Sequence, residues 1–164
     1  MHDPVGPVLL VWLETTALAG AMREWLWLYP AVEVVHIVGL VLLVGAAAMF
    51  DLRLLGVARG LGVRALARFL LPWSWTGLAV VVPSGLLMFS AHATEIAENP
   101  AFQLKLALIA AAGLNAWWLH RGALRQAHAW EHSEVTPRRA RFAAAASLLL
   151  WVGVITCGRL LAYL

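Results

Sequence analysis

A histidine lies inside the most apolar segment of the chain, PAVEVVHIVGLVLLVGAAAMFDLR, which covers residues 30–53. Glu33 precedes His36 by three residues, so a helix would put both side chains on one face. An imidazole can ligate a metal through one ring nitrogen while a carboxylate accepts a hydrogen bond from the other. His36 is therefore predicted either to be a ligand or to pair with Glu33 or a neighbouring helix.

Other side chains with ligand chemistry are spread along the chain. Lys105 is the only lysine, and a charged group inside an apolar segment marks a candidate functional site. His120 ends the apolar run that contains Lys105, and HAWEH places His128 and His132 at the i, i+4 spacing that one helical face can offer a metal. Further candidates are His92, Met88, Arg53 and the single cysteine, Cys157.

The composition indicates which elements must position these groups. Of the 164 residues, 62% are hydrophobic and 13% are charged, against about 45–50% apolar and about 25% charged in a typical soluble domain. This indicates an integral membrane protein in contact with the lipid bilayer. The formal net charge of +3 comes from arginines beside apolar runs, which indicates membrane orientation and not nucleic-acid binding.

Four apolar segments are predicted to be membrane-spanning helices, because each approaches the roughly 20 residues that a span needs and a helix satisfies its own backbone in lipid. Pro72 and Pro83 predict a kink in the second. Residues 8–28, with Trp12, Trp25 and Trp27, are predicted to form an interfacial helix. The fold class is all-α, an integral membrane four-helix bundle with an N-terminal interfacial helix. The single membrane domain, 1–164, has spans at about 31–50, 69–90, 101–120 and 142–161.

Charge placement predicts the direction of the spans. The connections between spans one and two and between spans three and four are rich in arginine, whereas SAHATEIAENPAF between spans two and three is acidic. The positive-inside rule places the arginine-rich connections in the cytoplasm. We therefore expect a protein of the cytoplasmic membrane of a bacterium, with both termini outside.

The predicted spans assign a depth to each candidate ligand at about 1.5 Å per helical residue. His36 lies about six residues, or about 9 Å, from the outer boundary, and His120 lies at the inner boundary about 20 Å away. Two axial ligands of one haem iron are only about 4 Å apart, from metal–nitrogen bonds near 2 Å. His36 and His120 are thus not expected to ligate one haem within a subunit. Met88, Lys105 and Cys157 are predicted to share the depth of His36, with His92 one turn further out.

Several of these candidate residues have more than one possible role. His120 is either a ligand or an interfacial residue, and Met88 and Cys157 are more often packing residues than ligands. Lys105 could meet a haem propionate, pair with Glu33 or extend to the membrane surface. Arg53 or Arg121 could hold a propionate or an anionic lipid head group. Asn115 could hydrogen-bond a neighbouring helix.

Two segments, LYPAVEVVHIVGLVLLVGAAAMFDLRLLG and NPAFQLKLALIAAAGLNAWWLH, resemble a family of small uncharacterised bacterial four-span membrane proteins. They are more distantly similar to HemJ-type protoporphyrinogen oxidases and CopD-like membrane domains. In HemJ-type proteins a first-span histidine and a Lys…His pair accompany bound haem b. The resemblance implies that His36, Lys105 and His120 have these places here.

We therefore expect a membrane protein that binds one or two b-type haems and transfers electrons in or across the membrane. His36 and His120 are the expected iron ligands, with His92, Met88 or Lys105 as candidates for the second position. Any enzymatic redox chemistry would belong to the cofactor, and a second copy of the chain or a redox protein is the expected partner. The alternatives are a copper-handling protein, with His36, Met88, His92 and Cys157 as soft ligands, or a structural membrane-anchor subunit.

Overall fold

The computed structural model describes residues 6–126, 136–161 and Tyr163, and all regular structure within these ranges is helical. Three short helices accompany four long ones, and a short 3-10 turn, Ala123–Gln126, follows the sixth. In chain order the helices are α1 (Val8–Glu14), α2 (Ala17–Glu24), α3 (Leu28–Leu55), α4 (Val63–Ala91), α5 (Ala93–Glu98), α6 (Pro100–Arg121) and α7 (Arg138–Leu160).

The four long helices, α3, α4, α6 and α7, are each long and apolar enough to cross a membrane, which indicates a membrane protein. Each predicted span lies within one of them, except that the last runs one residue beyond α7. Asn99 defines the start of α6, because its Oδ1 accepts a hydrogen bond from the backbone N–H of Ala101 at 2.8 Å and Pro100 takes the first helical position. The all-α fold class is confirmed.

The predicted N-terminal helix at 8–28 is instead divided into α1 and α2. Thr15 and Thr16 separate them, and each hydroxyl donates to a backbone carbonyl three residues earlier. The Thr16 hydroxyl also accepts from the Ala19 N–H at 3.3 Å and so caps α2. This local bonding competes with a continuous helix.

The long helices pack as three pairs: α3 with α4, α3 with α7, and α6 with α7. Within the described residues, no Cα atom of α4 comes within 8 Å of one in α6. The bundle is therefore open along one side, which we call the α4–α6 cleft. We call the end that carries α5 the α5 end, and the opposite end, with the α3–α4 loop and the start of α7, the arginine-rich end.

The tightest helix pair, α3 with α4, depends on glycine. A Cβ atom added to Gly77 would lie 2.5 Å from the backbone nitrogen of Leu43 and 2.7 Å from the carbonyl oxygen of Gly39. Small residues allow helix backbones to approach this closely in membrane proteins. Close backbone contact therefore fixes the position of α3 relative to α4, and with it the side chains that these two helices carry.

An apolar core lies at the arginine-rich end. Asn115 of α6 crosses to α7 there and donates its Nδ2–H to the carbonyl oxygen of Ala143 at 2.9 Å, so its predicted interhelical hydrogen bond is confirmed. The core residues come from α3, α4, α6 and α7, and are Ala46, Phe50, Leu54, Val63, Leu70, Leu119, Ala140, Ala143 and Ala144.

At the α5 end, α1 and α2 are bonded to the connection between α4 and α5. Glu14 is buried, and its Oε1 accepts from the backbone N–H and the hydroxyl of Thr94 at 2.7 and 2.8 Å. Arg23 donates to the carbonyl oxygens of Ala91 and Glu14, both at 2.9 Å. The charges that interrupt this apolar segment are therefore structural, because they hold α1 and α2 in place.

Replacing Glu14 with alanine is expected to lower the free energy of unfolding by about 1–3 kcal/mol, because the partly buried N–H and hydroxyl of Thr94 would lose their acceptor. Thermal unfolding of the detergent-purified protein measures this. Glu14→Gln keeps an oxygen acceptor and should lose less, and Glu24→Ala, at an exposed position, should have little effect. Equal losses for all three variants would contradict the role of this bond.

Candidate functional site

His36 is held between α3 and α4 by a serine. Its Nδ1 lies 2.9 Å from the Oγ of Ser84, which is buried on α4. The predicted partner, Glu33, is exposed and interacts with His36 only electrostatically. Ser84 therefore takes the place that the sequence suggested for Glu33.

Ser84 also determines which ring nitrogen of His36 carries the hydrogen. The single hydroxyl hydrogen of Ser84 points to a carbonyl, because Oγ lies 2.6 Å from the Val80 oxygen and 3.2 Å from the Val81 oxygen. Carbonyl oxygens only accept, so Ser84 can only accept from His36. The ring also interacts with the Val81 carbonyl on this same side. Nδ1 of His36 thus carries the hydrogen, and Nε2 presents a lone pair.

A glycine gives the His36 ring its space. A Cβ atom added to Gly85, the residue after Ser84, would lie 3.1 Å from Cε1 of His36. The same Cβ atom would lie 3.6 Å from Nδ1, so any larger residue at this position would press on the Cε1–Nδ1 edge of the ring. Ser84 and Gly85 together hold the imidazole in one orientation while leaving Nε2 to bind.

Lys105 approaches the same site from α6. It is partly buried and interacts electrostatically with both His36 and the buried Cys157 of α7. A Cβ atom added to Gly158 would lie 3.4 Å from the Lys105 Nζ, so the ammonium group lies beside this part of α7. The prediction that Lys105 and Cys157 share the depth of His36 agrees with this arrangement.

The α4–α6 cleft is bridged at the α5 end by two aromatic rings. Phe89 of α4 and Phe102 of α6 stack with ring centroids 5.2 Å apart and planes at 9°. From this bridge, Lys105 is three residues further along α6 and Ser84 is five residues back along α4, so both lie deeper in the bundle. An aromatic pair, the His36 imidazole and the Lys105 ammonium group thus lie toward the α5 end of the bundle, and Lys105 interacts electrostatically with His36.

The other predicted ligands lie elsewhere. His92 is exposed between α4 and α5. Met88 is partly buried on α4, one turn nearer the α5 end than Ser84. The sequence predicted that it shares the depth of His36, although it lies only two residues from the end of the second predicted span. His120 is exposed near the end of α6, and its Nδ1 bonds to the carbonyl oxygen of Ala116, one turn earlier, at 2.8 Å. His128 and His132 lie outside the described residues.

The two predicted arginine sites lie at the arginine-rich end. Arg53 is buried, and its Nε and Nη2 donate to the carbonyl oxygens of Leu61 and Arg59 at 2.6 and 3.0 Å. It therefore fixes the α3–α4 loop. The Arg121 guanidinium lies over the ring of Trp117, 4.8 Å from its centroid, a cation–π contact within one helix.

Comparison with known proteins places the chain in one family. Residues 9–164 match the model of a family of unknown function, DUF6644. The chain belongs to DUF6644. Neither the curated proteins nor the solved structures gave a match to this DUF6644 chain, so no comparison supports the similarity to HemJ-type or CopD-like proteins.

Ser84 and Gly85 are the site residues that the sequence reasoning missed in this DUF6644 chain. Serine and glycine in an apolar helix are common packing residues, so their types alone do not indicate a site. The depth of Ser84 in the membrane could have identified it. Ser84 lies six residues from the outer end of the second predicted span, and His36 lies about six residues from the outer end of the first.

Proposed function

We propose that this DUF6644 protein binds a b-type haem in the α4–α6 cleft and carries electrons in or across the cytoplasmic membrane of a bacterium. The observation that supports this most directly is the His36–Ser84 hydrogen bond, which leaves Nε2 of His36 unprotonated. Histidines that ligate metals are commonly held through their other ring nitrogen in this way. His36 is the proposed iron ligand.

The surroundings of His36 suit a flat, apolar, anionic group. No Cα atom of α4 lies within 8 Å of one in α6 among the described residues, so these two helices lack the close packing in which axes lie about 8–10 Å apart. Lys105 offers a cation for a propionate, and its electrostatic interaction with His36 supports a role near the proposed ligand. When bound, haem would supply one-electron redox chemistry, and the apolar bundle would tune its potential.

The proposal is for one haem per chain. His120 is exposed and distant from His36 along the bundle, so any second haem at that end would need ligands from another subunit. In the proposed orientation the α5 end and both termini face outward, because the arginine-rich end carries the positive charge. His36 and its cleft then lie in the outer half of the membrane.

Purified protein from haem-supplied cells is expected to contain about one haem per chain and to show a Soret band. An optical spectrum, a haem assay and metal analysis of the same sample measure this. Stoichiometric copper without iron would favour the copper-handling alternative. However, no group of three or more His, Cys, Asp or Glu side chains converges on a metal position among the described residues. A colourless, metal-free protein that co-purifies with other subunits would favour the anchor alternative.

A further inference from the structure

A buried carboxyl group lies at the arginine-rich end, away from His36. Asp51, near the end of α3, is only 3% exposed. Its carboxylate is within hydrogen-bonding range of Ser147 on α7, but its Oδ2 has no hydrogen-bond partner among the described residues. A buried carboxylate with an unsatisfied oxygen is expensive, so its presence in a membrane helix indicates a function.

Asp51 has no counter-ion within the part of the chain that the structure describes. Arg53, two residues later, directs its guanidinium to the carbonyl oxygens of Leu61 and Arg59. The other charged or titratable side chains on the packed helices at this end are all exposed at the surface, and they are Arg64 and Arg68 of α4, His120 and Arg121 of α6, and Arg138, Arg139 and Arg141 of α7.

Neutral polar groups approach the same part of α7. Ser147 lies one turn after Ala143, and the Ala143 carbonyl accepts the hydrogen bond from Asn115 of α6. Asp51 from α3 and Asn115 from α6 therefore reach neighbouring positions on α7. The apolar core of Phe50, Leu54 and the alanines of α7 adjoins this polar group, which keeps bulk water away from it.

The chemistry of the group favours the smallest cation. A metal ion such as Ca²⁺ or Mg²⁺ takes about six or more oxygen ligands, whereas Asp51 has one neighbouring side-chain hydroxyl, that of Ser147. A proton needs only the free Oδ2, and it removes the charge that makes burial costly. From this geometry we infer that Asp51, with Ser147, forms a proton-binding site at the arginine-rich end of the bundle.

Infrared spectroscopy of the purified full-length protein tests this site directly. At neutral pH the wild type should show the C=O stretch of a protonated carboxyl group, and Asp51→Asn should lose it. The band should disappear reversibly at alkaline pH. In Ser147→Ala it should persist to higher pH, because the hydroxyl that stabilises the ionised form is gone. This measurement reads the carboxyl itself, so its outcome does not depend on haem.

The controls distinguish a protonated Asp51 from other carboxyl groups and from a bound metal cation. Glu24→Gln and Glu98→Gln, both at exposed positions, should keep the band unchanged. A variant is compared only where its thermal midpoint and monodisperse elution match the wild type. Asp51→Ala, which also removes the carboxyl group and should also lose the band, serves as a second variant if Asp51→Asn does not fold. Absence of the band in the wild type would overturn the proposal. So would its loss on addition of sodium at constant pH, which would instead indicate a metal-cation site.

Discussion

Replacing His36 with alanine is expected to abolish haem binding, with the Soret band of the purified protein lost almost completely. The proposed iron ligand is the free Nε2 of His36, and alanine leaves the iron no nitrogen at this position. The fold should survive, because the Ser84 hydroxyl still donates to the Val80 carbonyl and no buried donor is stranded. Haem content per chain, measured beside the thermal midpoint, separates loss of the ligand from loss of the fold.

Two other histidines provide matched controls for His36. His92 and His120 are both exposed and lie at opposite ends of the bundle, so alanine at either position should leave haem content unchanged. If His120→Ala lost haem and His36→Ala kept it, the proposed site would be wrong. If all three variants kept haem, no histidine among these would be an essential ligand.

Ser84 is expected to act on haem through His36. Ser84→Ala removes the acceptor that orients the ring and fixes its tautomer, and loss of such a partner weakens metal affinity by about 10–100-fold. Ser90→Ala is the matched control, because Ser90 is also buried on α4 and donates to a backbone carbonyl, that of Leu87. A haem titration that gave both variants the same affinity would contradict the positioning role of Ser84.

The sequence predicted the long elements because their signal is strong and repeated. A span needs about 20 apolar residues, and the clusters of arginine and the Asn99–Pro100 pair mark helix ends. The depth count also separated His36 from His120 and brought Lys105 and Cys157 to the His36 level. These predictions were possible because helical rise converts residue number directly into distance.

The partners across helices could not be predicted in the same way. Glu14 and Thr94 are 80 residues apart, and His36 and Ser84 are 48 apart, so no local pattern joins them. The rotation of each helix about its axis decides which side chains meet. This rotation cannot be read from the sequence, because the helix faces that contact lipid and those that contact protein have similar apolar compositions. The open side between α4 and α6 depends on these rotations and was therefore not predicted.

Replacing Gly77 with alanine is expected to separate α3 from α4 and to destabilise the bundle by about 1–3 kcal/mol or more, as overpacking does. The new Cβ atom would lie 2.5 Å from the Leu43 backbone nitrogen and 2.7 Å from the Gly39 carbonyl oxygen. Both obstacles are backbone atoms, so no side-chain rotation relieves the clash. Since His36 and Ser84 lie on these two helices, the variant should also lose haem affinity.

Gly45→Ala and Gly113→Ala make the same chemical change where a Cβ atom meets nothing within 4 Å. Alanine is the better helix former by roughly 0.5–1 kcal/mol, so these variants should keep or raise the thermal midpoint while Gly77→Ala lowers it. The opposite signs distinguish steric contact from helix propensity, because propensity alone would raise the midpoint in all three. A Gly77→Ala protein as stable as the wild type would show that α3 and α4 are not in backbone contact. The position of His36 beside Ser84 would then depend on other contacts.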